Sequence, residues 1–430
     1  MLLSRDGAAA DGPRAVRLGY CLNLHPSETL ADVERALEEF VAPLSERLGT
    51  GREFGVGMYL GEEPARALAS DESALERFAE RFRALGVDPF TYNAFPQGGF
   101  QEDGLKERVY EPDWRTAERL AYTIDVGRVA ARLAGGPGRT IAISTHPGAY
   151  GAEITDRSGL RACAEGMARA VGEFARIEAE GGPRLVLAVE AEPDASARNS
   201  RALAESLMFA RLVGTRVLAD EFGHPAEVTA GLMERHLGTC LDCCHSAVEF
   251  EEPGLAVELA HMGGPLGKVQ FSSALRLEAP AAHPAARAAL LGLDEPRFLH
   301  QVTARADGEF LHLADLPALR EAAADAEGPW ARADEWRCHF HVPVDLERAA
   351  GLATTRDHAD AILRAALARP SAEELHVEIE TYTWNVLPES AGAPTDGAAV
   401  IDGLEREYRH VLDLLGVEGW SPGKNVPARV

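Results

Sequence analysis

Cysteine is scarce in this chain. Six residues (Cys21, Cys163, Cys240, Cys243, Cys244 and Cys338) among 430 are no disulfide framework, so reduced thiols are expected. Long apolar runs are missing as well: none could span a bilayer, which excludes direct membrane insertion by a helix. The first residues turn polar at Ser4, so no signal peptide is expected, and the chain is expected to be soluble and cytoplasmic. Positive charge is in deficit. Lys and Arg total 43 against 68 Asp and Glu, a formal charge of −25 with a pI near 5.0. Such a field repels phosphate backbones and anionic lipid, and nucleic acid is excluded as an expected partner. No internal repeat or low-complexity linker divides the chain, so one elaborated domain over residues 14–415 is expected, with 1–13 and 416–430 as flexible tails.

What the chain has is apolar residues, 46% of the total, arranged in a regular alternation. Short strand-like runs cover 16–23, 54–60, 89–93, 140–146, 185–190, 239–242, 268–272 and 375–380, with an additional one at 338–343. Amphipathic stretches lie between them. One carries Leu30, Val33, Leu37, Val41 and Leu44 after a capping Ser27 or Thr29; another carries Leu75, Phe78, Phe82 and Leu85 and stops at Gly86. Eight such units predict a closed (β/α)8 TIM barrel. The interval 274–337 is too long for a connection between the seventh and eighth strands and reads as a lid-like insertion. Within it, 298–302 and 310–313 form a hairpin about Ala306-Asp307-Gly308.

The strand ends carry the chemistry. Thr239-Cys240-Leu241-Asp242-Cys243-Cys244-His245 closes a buried run with a carboxylate and an imidazole three residues apart. Side chains alternate faces along a strand, and bulky apolar residues face the helices of a barrel. This phasing puts Ile141, Ile143, Leu187, Val189, Leu241, Val269, Val377, Ile379, Phe90 and Tyr92 outward. It turns His146, Glu190, Asp242, Gln270, Glu380 and Asn93 inward at one rim. Three carboxylates and an imidazole crowded into an apolar barrel need compensation, and a divalent cation supplies it. Glu190 and Glu192 share a phase; Glu190 is the expected ligand because it ends the apolar run. Glu378 lies one layer deeper, where His376 or Lys268 is the expected partner. A zinc knuckle of Cys240, Cys243, Cys244 and His245 lacks a second cysteine pair at matching distance. Asn23 and His25 read equally as substrate contacts or turn formers. Tyr382 and Trp384 either stack on a ring-shaped substrate or pack beneath the insertion.

His146-Pro147-Gly148 after the fourth strand, Glu190 after the fifth, Cys-Leu-Asp-Cys-Cys-His after the sixth and Ile379-Glu380-Thr381 after the eighth resemble the superfamily of xylose-isomerase-like TIM barrels. The resemblance implies a divalent metal, zinc or manganese before magnesium, held by Glu190, Asp242, Glu380 and a seventh-strand position that is Gln270 here instead of histidine. An amide oxygen is a weaker ligand than imidazole. His339-Phe340-His341 resembles the Asp-x-His of the superfamily's endonuclease group, which implies a second site with His245. Across nearly the whole chain, Gly19-Tyr20-Cys21-Leu22-Asn23-Leu24-His25-Pro26, Asn93-Ala94-Phe95-Pro96, Val109-Tyr110-Glu111-Pro112-Asp113-Trp114 and Glu380-Thr381-Tyr382-Thr383-Trp384 are similar to the metabolite-traffic proteins E (EboE) of bacterial Ebo clusters. That likeness implies a cytoplasmic protein handling a small metabolite destined for export, with other Ebo-cluster proteins as partners. Three functions follow as expectations. The first is isomerase- or epimerase-type proton transfer, with Glu190 and Glu380 as the catalytic acid and base. The others are metal-dependent phosphoester hydrolysis of the endonuclease type and non-catalytic carriage of a metabolite.

Overall fold

A computed structural model of the chain describes residues 1–5, 12–49, 53–151, 156–387, 394 and 396–422. Sixteen strands are described. They are β1 (Leu2–Arg5), β2 (Ala15–Cys21), β3 (Phe54–Tyr59), β4 (Val87–Asn93), β5 (Thr140–Thr145), β6 (Arg184–Glu190), β7 (Leu237–Asp242), β8 (Leu266–Phe271), β9 (Ser273–Glu278), β10 (Val302–Ala306), β11 (Glu309–Leu313), β12 (Glu335–Val342), β13 (Arg348–Ala349), β14 (Leu352–Thr354), β15 (Glu374–Ile379) and β16 (Trp420–Pro422). Strands β2 to β8 and β15 pair in parallel in that order, and β15 closes on β2 with Ile379 opposite Tyr20. This is the (β/α)8 barrel expected from the alternation of runs.

The connecting helices form where the sequence supplies caps and an apolar stripe. The Thr29 hydroxyl accepts from Asp32 N and the Asp32 carboxylate accepts from Thr29 N, a reciprocal pair that starts the helix at Leu30. Asp71 caps Glu72–Leu85, whose Leu75, Phe78 and Phe82 are buried; Gly86 ends it at φ 64°, a left-handed conformation that favours glycine.

The inner face follows the expected phase with one exception. Ala142, Ala188 and Cys240 form a small cluster of their own. Lys268 pairs with Glu378 below it, both fully buried, and a Cβ on Gly57 would collide with the Glu378 carboxylate. The exception is Phe90, expected outward. The register slips between Val56 opposite Pro89 and Gly57 opposite Thr91, leaving Phe90 as an additional residue. This bulge turns its ring inward onto His376 at 5.1 Å, over Gly19 and Gly55, which leave room for it.

The insertion is larger than the expected 274–337. Strands β9 to β14 make a second, six-stranded sheet in the order β11-β10-β12-β9-β14-β13, reaching Thr354. It has its own core, centred on Trp336, Leu316, Leu319 and Phe340. The expected hairpin is present as β10 and β11, turning at Asp307-Gly308, but its first arm is Val302–Ala306 and not 298–302. The tails also differ from expectation. Leu2–Arg5 pairs with both β2 and Trp420–Pro422 (β16), so both tails carry a strand, and the helix before β16, Gly397–Val417, packs Leu404, Tyr408 and Leu415 into the barrel core. The rest of the expected tails, 6–11 and 423–430, lies outside the described residues. Among the described residues no helix is long and apolar enough to cross a membrane.

Candidate metal centre

The second sheet and the barrel meet at the C-terminal rim. Strand β12 pairs regularly with β9 as far as Cys338 opposite Leu275, then shifts register before Val342 opposite Ser273. The intervening His339 and His341 share a phase and leave the sheet for the barrel mouth, while Phe340 between them enters the insertion core. From the barrel side, Asp242 ends β7 and caps the short helix Cys243–Val248 by accepting from His245 N at 2.8 Å, with Ser272 Oγ donating to it from beyond β8. This cap delivers His245.

The three imidazoles converge. His245 Nε2 lies 3.2 Å from His339 Nε2 and 3.3 Å from His341 Nε2, and the last two are 2.9 Å apart. Their other nitrogens all face oxygen acceptors: His245 Nδ1 the Ala191 carbonyl at 2.9 Å, His341 Nδ1 the Glu380 carbonyl at 3.0 Å, and His339 Nδ1 the Gln301 Oε1 at 2.5 Å. Gln301 is oriented by its amide, which donates to Pro193 O and Glu192 Oε1. A carbonyl or amide oxygen only accepts, so each Nδ1 carries a proton, and a ring that is neutral turns its Nε2 lone pair toward the other two. Three such nitrogens at these distances need a proton or a cation among them. Nitrogens bound tetrahedrally to zinc at about 2.0–2.1 Å stand about 3.3 Å apart, close to the observed spacing. Carbonyl partners on the far nitrogens are what metal-ligating histidines use to fix tautomer and orientation.

Acidic groups surround this cluster. Glu192 Oε2 is 3.3 Å from His245 Nε2, and Glu190 Oε1 is 3.2 Å from His245 Nδ1. Burial opposes a charged His245, yet Asp242, Glu192 and Glu190 together hold its imidazolium well above the ordinary range. His339 is pushed well below it by burial, with His245 and His341 adding. Burial pushes Glu192 up to about 8, and it raises Asp242 and Glu380 too, helped at Glu380 by Glu190 and Asp242. The raised His245 and the raised carboxyls both mark a pocket crowded with buried acidic groups. Donor atoms of Glu190, Asp242 and Glu380 lie within 4.8 Å of one another, as do those of Asp242, His245 and His341, of Glu192, His245 and His339, and of Cys244, His339 and His341.

Of the expected ligands, the structure thus brings together Glu190, Asp242, Glu380, His245, His339 and His341. Two others are placed differently. Gln270 lines the same cavity, but its Oε1 accepts from the Cys240 thiol and its amide donates to Glu380 Oε2, each at 2.5 Å, so it orients Glu380. His146 belongs to none of the donor sets; its ring lies against Phe95 and Tyr110, and neither nitrogen has a described partner. The substrate contacts also divide. Asn23 and Asn93 line the cavity and both donate to Glu380 Oε1, at 2.8 and 2.9 Å. Tyr382 lines it too, stacked on His341 at 4.4 Å. His25 instead stacks on Phe40 outside the cavity, and Trp384 is buried against Gly403 with its indole N–H on Thr381.

Sequence reasoning missed Glu192, Gln301 and Arg119. The first shares the phase of Glu190 and was legible as an alternative. Gln301 becomes visible only once the insertion is folded. Arg119 is fully buried and donates to Pro112 O, Ala94 O and Phe95 O, fastening two rim motifs together.

A cavity opens above these groups, walled by Phe100, Phe298 and Tyr382 among others. No protein-family model matches this chain, and no curated sequence does. Among solved structures it is similar to an L-ribulose 3-epimerase (13% identity, TM-score 0.44, covering 94% of this chain and 95% of that one). It is similar also to the D-psicose 3-epimerase of Clostridium cellulolyticum H10 with D-tagatose (11%, 0.45, 93% and 99%) and to the IolI protein with a zinc atom (10%, 0.46, 94% and 99%). Likeness at this level carries no argument about activity, and the fold assignment rests on the strand pairing.

Proposed function

We propose that this chain is a metal-dependent enzyme acting on a small metabolite, with His245, His339 and His341 holding a divalent ion. The observation that carries this is the convergence of three imidazole Nε2 atoms whose far nitrogens are all committed to oxygen acceptors. Glu192 flanks the three histidines, and Glu190, Asp242 and Glu380 offer an adjoining set of oxygen donors. Mixed imidazole and carboxylate donors suit zinc or manganese before magnesium. Such an ion, when bound, polarises a carbonyl or hydroxyl of the ligand. The chain supplies the rest. Glu380 is fixed by three amide donors, from Asn23, Asn93 and Gln270, and Glu190 is anchored beside His245. In isomerase- or epimerase-type chemistry, one of these carboxylates takes a carbon-bound proton adjacent to the carbonyl and the other returns one.

A second reading is phosphoester hydrolysis. It is favoured by the two donor sets sharing Asp242, an arrangement suited to two ions. The charge of −25 argues against a nucleic-acid substrate. The motifs similar to the Ebo-cluster proteins support a finer proposal: a cytoplasmic role on a metabolite destined for export, with other proteins of that cluster as partners. Capturing what the zinc-loaded protein binds from extract, and incubating it with the protein in D2O, tests these readings. Solvent deuterium in the recovered compound supports proton transfer. Release of phosphate supports the second reading. An unchanged compound makes the protein a carrier and overturns both.

A further inference from the structure

The upper part of the cavity differs sharply from its floor. Phe100 from the loop after β4, Phe298 from the insertion and Tyr382 after β15 form a triangle of rings with centroids 4.8–5.0 Å apart. The triangle is continuous with the donor cluster, because Tyr382 stacks on His341. Phe95, Tyr110 and Leu299 extend the same apolar surface around the cavity.

The amide side chains at the floor are meanwhile engaged within the protein. Both ends of Gln270, both ends of Gln301 and both ends of Asn93 are hydrogen-bonded within the protein. At the mouth, Lys106 is paired with Asp315 at 2.7 Å. A free sugar needs a partner for nearly every hydroxyl it buries, since each one left unpaired costs binding. Among the described lining residues, Asn23 Oδ1 and Arg297 Nε are buried without a partner. A cavity with apolar walls over one cluster of polar groups matches a ligand that is mostly apolar.

We infer that the substrate is an amphiphile: an aromatic or similarly apolar ring body held against Phe100, Phe298 and Tyr382, bearing one oxygen-rich head directed at the histidine and carboxylate cluster. A free sugar, with a hydroxyl on nearly every carbon, fits this apolar wall less well. The inference rests on the metal-centre reading for the head and on the ring triangle alone for the body, so the two parts can fail separately.

Acetohydroxamate and benzohydroxamate carry the same chelating head and differ in the ring. Calorimetric titration of the zinc-loaded protein should show benzohydroxamate binding at least ~10-fold tighter, the effect of burying one ring. The preference should shrink toward unity in Phe100→Ala and Phe298→Ala, checked for retained zinc and cooperative unfolding. Equal affinity of the two probes for the wild-type protein overturns the inference whether or not those variants fold. The metal-free protein, titrated with 2-naphthol and with D-fructose, tests the body alone: 2-naphthol should bind and D-fructose should not. Tighter binding of D-fructose overturns the inference. Failure to take up zinc, with naphthol binding intact, removes the metal-centre reading and leaves the apolar-body assignment standing.

Discussion

Glu407 shows how single residues hold the rim in place. It is fully buried on the helix Gly397–Val417, accepts from Val344 N and from Thr381 Oγ1 at 3.0 Å each, and so ties the exit of the insertion to the end of β15, next to Glu380. Burial, with Asp345 adding, pushes its carboxyl from an ordinary 4.5 up to about 8. The folded state therefore keeps the proton over a range where the unfolded chain has released it. This contribution is fully present below pH 4.5 and is lost as pH rises to about 8, with a slope of at most ~1.4 kcal/mol per unit. Glu407→Gln cannot ionise and keeps an oxygen for Val344 N. Urea unfolding at pH 5, 6.5 and 8 should show the variant gaining stability relative to wild type at each step; a constant difference contradicts the assignment.

At the scale of elements, the barrel strands were legible in the sequence because each is a short apolar run of fixed phase ending in a polar residue. That pattern put Glu190, Asp242 and Glu380 on one rim. Phe90 was misread because a bulge changes phase without any mark in the composition. Phase put Gln270 on the inner face, where the structure has it, but could not say that its amide turns to Glu380. The second sheet was half legible: its hairpin showed, but β12 looked like a stray strand because its partners β9 and β10 lie inside what reads as a loop. Its bulge is the device that brings His339 and His341 to the barrel. Gln301, just before β10, completes it by accepting from His339. Gln301→Leu removes that acceptor, and competition against a chelator should show zinc affinity lower by roughly 10–100-fold, the usual cost of losing a ligand's orienting partner. Unchanged affinity would mean that His339 does not bind the ion.

The whole molecule is a barrel with a second sheet folded over its mouth, and each part supplies an incomplete set of the three imidazoles. The barrel brings His245 and the carboxylates; the insertion brings two imidazoles. Neither set alone places three imidazoles together, so the centre exists only when both have folded against each other. This coupling predicts that binding a divalent ion raises the unfolding temperature of the entire chain, since a ligand that binds only the folded state stabilises it by mass action. The central claim is tested most directly by anomalous diffraction at the zinc edge from crystals of the zinc-loaded protein. The account predicts a peak about 2.0–2.1 Å from the Nε2 atoms of His245, His339 and His341. Zinc found elsewhere, or three imidazoles standing apart with no anomalous peak between them, would contradict it.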